Sequence, residues 1–110
     1  MTTPPAADWP VPWCPIKGGS AADGLSRELY DELSSRHVLY GIKVNPVAFR
    51  QDCDDVLFEL LDGSGRFAVV HLTYAQHPEP DPRWPETDVD SDWSHFEQER
   101  MRSDAADWSG

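Results

Sequence analysis

Two apolar runs either side of a glycine-containing turn constrain this chain more than anything else in it. Asp55-Val56-Leu57-Phe58-Glu59-Leu60-Leu61 precedes Gly63-Ser64, and Arg66-Phe67-Ala68-Val69-Val70-His71-Leu72-Thr73-Tyr74 follows. Runs rich in branched and aromatic side chains, joined by such a turn, predict a β-hairpin. With Gly63-Ser64 as a two-residue loop, Leu60 faces Phe67, Phe58 faces Val69 and Val56 faces His71. Side chains alternate along a strand, so these six residues would share one face. Leu57, Val70, Leu72 and Tyr74 fall on the other face, for which the proline-rich segments are the available cover.

Around the hairpin the pattern is readable at lower detail. Leu25, Leu29, Leu33 and His37 or Tyr40 recur at spacings of three and four, predicting a helix from about Ala22 to Leu39. Ser20 or Asp23 is placed to cap its start and Gly41 to end it, and Arg27, Glu28 and Asp31 fall on its solvated side. Ile42-Lys43-Val44 and Val47-Ala48-Phe49 read as one strand interrupted by Asn45-Pro46. Proline cannot donate to a central ladder, so an edge position or a bulge is expected there. Ala75 to Asp90 is expected to be irregular, and Ser91 to cap a helix from Asp92 to about Ala106.

Residues 1–19 hold five prolines and close on Gly18-Gly19, which excludes a helix or central strand. Trp9, Val11, Trp13 and Ile16 are too apolar for a solvated tail, so a docked arm from Trp9 onward is expected. The expectation is thus an arm (1–19) and a single domain (20–110) of α+β class. Its architecture would be two layers: a three-stranded antiparallel meander carrying an N-terminal and a C-terminal helix, with long Pro/Trp-rich segments.

Asp54-Asp55-Val56-Leu57-Phe58, Val69-Val70-His71-Leu72-Thr73-Tyr74 and Asp81-Pro82-Arg83-Trp84-Pro85 together resemble a group of small bacterial proteins of no known activity. The resemblance covers roughly Leu25 to Asp107, and Tyr74 stands where that group carries Trp. It implies no functional residue.

Charge narrows the function classes. Twenty acidic against nine basic side chains give a net charge of −11, which repels phosphate backbones and anionic bilayers and so argues against nucleic-acid and membrane partners. With no secretory signal pattern, a soluble cytoplasmic protein is expected, its Cys14 and Cys53 being reduced thiols. From Pro78 to the end the chain carries ten Asp and Glu but three Arg, interleaved with Trp84, Trp93 and Trp108. An acidic surface with aromatic anchors suits a basic protein partner. Trp84, Trp93, Glu97, Glu99 and Trp108 are the candidate contacts, in the manner of an inhibitor or immunity protein.

The alternative class is a small enzyme or ligand-binding domain. His71 lies near Asp54 and Cys53, and an imidazole beside a carboxylate and a thiol is the raw material of acid–base or nucleophilic chemistry. A histidine bonded to an aspartate at the end of a core accounts for the same residues. His77, Glu79 and Asp81 alternate along an extended stretch and are candidate metal ligands, although the spacing matches no zinc or calcium pattern. No cofactor motif is present, and a non-catalytic interaction protein is the expectation.

Overall fold

A computed structural model describes residues 12–16, 19–74, 81 and 83–107. The sheet has five strands, where the sequence suggests three. They are β1 (Trp13–Pro15), β2 (Val44–Arg50), β3 (Asp55–Leu60), β4 (Phe67–His71) and β5 (Glu86–Asp90). They lie in chain order, each antiparallel to the next, so the meander is extended by one strand at each edge. The two additional strands are short. β1 is three residues among prolines, and β5, Glu-Thr-Asp-Val-Asp, holds a single strong apolar residue. Edge strands pair on one side only, so neither needs the apolar alternation that reveals β3 and β4.

The hairpin register differs by one residue from the expected one. Leu60 N–H donates to the Arg66 carbonyl (3.0 Å), which leaves Leu61 to Gly65 as the loop. Asp62 Oδ1 accepts from Ser64 N–H and Ser64 Oγ, and Oδ2 from Arg66, while Gly63 and Gly65 take φ of 81° and 74°. An odd-length loop moves each residue of β4 by one place, which exchanges its two faces. Val56 therefore pairs with Val70, Leu57 with Val69, Phe58 with Ala68, and Asp55 with His71.

Each face has its own core and helix, giving three layers. Val56, Phe58, Leu60, Ala68 and Val70 pack with Leu29, Leu33 and Leu39. Leu29 and Leu33 belong to, or directly follow, α1 (Gly19–Glu32). On the other face Trp13, Ala48, Leu57, Phe67 and Val69 pack with Phe96 and Met101. The C-terminal helix thus supplies the cover expected of the proline-rich segments. It runs as α2 (Trp93–Phe96), a π-helical turn (Glu97–Met101) and α3 (Arg102–Asp107). Asp92, not Ser91, caps it, accepting from His95 N–H at 2.8 Å. Edge-on ring contacts join Trp13 to Phe96 (5.3 Å between centroids) and Phe67 to Trp93 (5.6 Å), a geometry the ring quadrupoles favour.

α1 ends seven residues short of the expected Leu39. Glu32 is fully buried, and its carboxylate accepts from the backbone N–H of Thr73 and of Tyr74, each at 2.9 Å. Beyond it, Ser34 to Ile42 form successive turns. His37 Nδ1 accepts from Leu39 N–H (3.0 Å), so a side chain takes an amide that a helix would have used. Glu28, expected on the solvated side, is buried. Pro46 sits at a register shift between Pro46 and Ala48 in β2, the bulge its missing N–H implies. Trp13, from the stretch expected as an arm, is 1% exposed, and its indole N–H donates to Asp104 Oδ2 at 2.9 Å.

Candidate interaction surface

The acidic C-terminal third separates into carboxylates that hold the fold and carboxylates that do not. Asp90 is fully buried and accepts from His95 Nδ1 (2.7 Å) and Arg100 Nε (2.8 Å), which ties the C-terminal helix to β5. Asp92 is spent on the cap. Asp104 accepts from Trp13 and pairs with Arg50 at 3.3 Å, tying the same helix to β1 and β2. Asp81 is bridged by Arg83 through Nε and Nη2, which holds its carboxyl at about 2, against the ordinary 3.8. That leaves Glu86, Glu97 and Glu99, for which no ion pair forms among the described residues. Asp88 belongs with them: its side chain is 61% exposed and reaches Arg100 only at 3.5 Å.

The sequence-predicted contacts divide in the same way. Trp84 is 44% exposed, at the end of a turn in which its N–H donates to the Asp81 carbonyl. Trp93 is half-buried, in edge-on contact with Phe67 and tilted contact with Phe96, so most of its surface is committed to the core. Glu97 is half-buried and Glu99 exposed, both on the π-helical turn. Trp108 lies outside the described residues.

Next to Trp84 is an open cleft of about 640 Å³ between the turns after α1 and the start of β5. Arg36, His37, Val38, Arg83, Trp84, Glu86 and Thr87 line it. His37 fixes this junction. Its Nε2–H donates to the Pro85 carbonyl (2.9 Å), the tautomer that its acceptor role at Nδ1 requires. Thr87 Oγ1 donates to the same carbonyl at 2.9 Å, and the Trp84–Pro85 peptide is cis. From spacing alone this histidine has no role beyond a place on a helix. Its signal was weak, since its partners lie about fifty residues away.

The residues of the enzyme reading come together differently. His71 Nδ1 bonds Asp55 Oδ1 at 2.8 Å, not Asp54, because the register sets Asp55 opposite His71. Asp54 contributes its carbonyl to Leu72 N–H. The Cys53 thiol is pushed up by burial, with the Asp55 and Asp52 carboxylates adding to the effect; the Asp55 N–H and Arg50 act the other way. A raised thiol holds less thiolate at neutral pH, the reverse of what a nucleophile requires. Both cysteines are free, so Cys14 and Cys53 do not pair. Of the candidate metal ligands, His77 and Glu79 lie outside the described residues, and Asp81 is engaged by Arg83. Among the described residues no three His, Cys, Asp or Glu side chains are grouped to hold a metal. Nor, among them, is any helix long and apolar enough to cross a membrane. Comparison with known proteins gives no match to a family model, to a curated protein or to a solved structure.

Proposed function

We propose that this chain is a non-catalytic interaction module that binds a basic protein partner through the acidic surface of β5 and the C-terminal helix. One observation carries the reading. Once the carboxylates engaged in the fold are set aside, Glu86, Asp88, Glu97 and Glu99 remain as surplus negative charge on neighbouring elements. Four of the arginines, Arg50, Arg66, Arg83 and Arg100, are at the same time held by the chain's own aspartates. The surplus is therefore directed outward, where long-range attraction accelerates encounter with a cationic surface. Trp84 offers an aromatic anchor beside it. The two free thiols suit a reducing compartment, and we place the protein in the cytoplasm.

The test is retention on immobilised protein from lysate of the source cells, washed at low and then high salt. A single basic protein held at low salt and released at high salt is the expected result. A retained partner that is acidic, or that stays bound through high salt, would overturn the reading.

A further inference from the structure

β5 is the last strand of the sheet, with no strand on its outer side among the described residues. An edge strand presents a row of backbone N–H and C=O groups ready to pair with another chain. The two faces of β5 differ in chemistry. Glu86 and Asp88 project on the side of His71 and Val69, and Thr87 and Val89 on the side of Val70 and Ala68. The cleft beside Thr87, walled by Val38 (63% exposed) and Trp84 together with the Arg36 and Arg83 side chains, adjoins that second face.

We propose that β5 is a strand-addition site that takes an extended segment of the basic partner, its side chains alternating between cationic and apolar. Main-chain hydrogen bonds to the open edge supply affinity, and the alternation supplies specificity. Lysine or arginine side chains lie against Glu86 and Asp88. On the opposite face an apolar side chain enters the cleft against Trp84 and Val38. A second copy of this chain does not fit the site, because pairing β5 with itself sets carboxylates against carboxylates across the junction. The inference rests on the acidic-surface reading above and adds how the partner is held.

Two capped octapeptides of equal charge and composition test it. One alternates lysine and valine; the other places four lysines before four valines. At low ionic strength the alternating peptide should bind at least about tenfold more tightly, the worth of one or two main-chain hydrogen bonds. It should also slow amide hydrogen exchange within Glu86–Asp90. Trp84→Ala should weaken the alternating peptide and leave the block peptide unchanged. Equal binding of the two peptides, with no protection of β5, overturns strand addition but leaves charge recognition standing. Failure of both peptides to bind, alongside salt-sensitive capture of a basic protein from lysate, again removes the strand-addition site alone. Failure of that capture as well removes both.

Discussion

Asp90→Asn changes almost no volume but removes the charge that joins β5 to the C-terminal helix. The parent carboxylate is fully buried and accepts two bonds, from Arg100 Nε at 2.8 Å and His95 Nδ1 at 2.7 Å. Hydrogen bonds to charged groups contribute about 1.5–3 kcal/mol each. In the variant one carboxamide position becomes a donor facing another donor. Water can reach both partners, however, since the side chains of Arg100 and His95 are 30% and 48% exposed. That access roughly halves the loss, to about 1.5–3 kcal/mol. For a domain of this size the melting temperature should fall by roughly 10 °C. Urea unfolding followed by tryptophan fluorescence reads the change, because Trp93 lies on that helix and Trp13 packs against it through Phe96. Asp88→Asn is the control: exposed and 3.5 Å from Arg100, it should cost under about 0.5 kcal/mol. Equal and small losses for the two variants would refute the division between structural and surplus carboxylates.

Three other outcomes follow from local geometry. Gly63→Ala meets no atom within 4 Å but must hold a φ of 81°, so it should cost about 1 kcal/mol through backbone strain alone; an unchanged urea midpoint would contradict this. Cys53, although exposed, should react with iodoacetamide more slowly than a free thiol at pH 7 and gain steeply as pH rises, since burial pushes its thiol up; fast labelling at pH 7 would revive the nucleophile reading. Asp62 is held at about 2, against the ordinary 3.8, by the Ser64 hydroxyl first, then the Ser64 N–H and Arg66. Its folded value lies below the unfolded one, so its contribution is complete above 3.8 and is lost as pH falls through about 2. The stability gap between the parent and Asp62→Asn should therefore be constant near neutrality and close in acid; a gap that persists below pH 2 would disprove the assignment.

How much of this was legible in the sequence depends on where each element draws its energy. β3 and β4 bury both faces at the centre of the sheet, so their apolar runs announce them. The C-terminal helix shows in Trp93, Phe96 and Met101. β1 and β5 do not show, because an edge strand is held by one ladder and by tertiary contacts such as Trp13 on Phe96. The register failed on the length of the loop. Gly63-Ser64 reads as a two-residue turn, but Asp62 caps Ser64 and the loop runs five residues, Leu61 to Gly65, which moves β4 by one place. That slip also misassigned the partner of His71. The end of α1 was hidden for a different reason: Glu32 turns inward to bind amides some forty residues away, which periodicity does not report. The acidic bias of the last third was plain, but which carboxylates are free required the bonds of Asp90, Asp92 and Asp104.

If recognition belongs to one acidic surface and not to net charge at large, charge reversal there and elsewhere will have unequal effects. Glu86→Lys with Glu99→Lys reverses two charges on that surface; Asp23→Lys with Asp31→Lys makes the same change in net charge on α1, where both residues are exposed. Binding of each variant to the captured partner is the decisive measurement. The expected result is a loss of at least about tenfold for the first pair and less than about twofold for the second. Equal losses, or none for either, would contradict it.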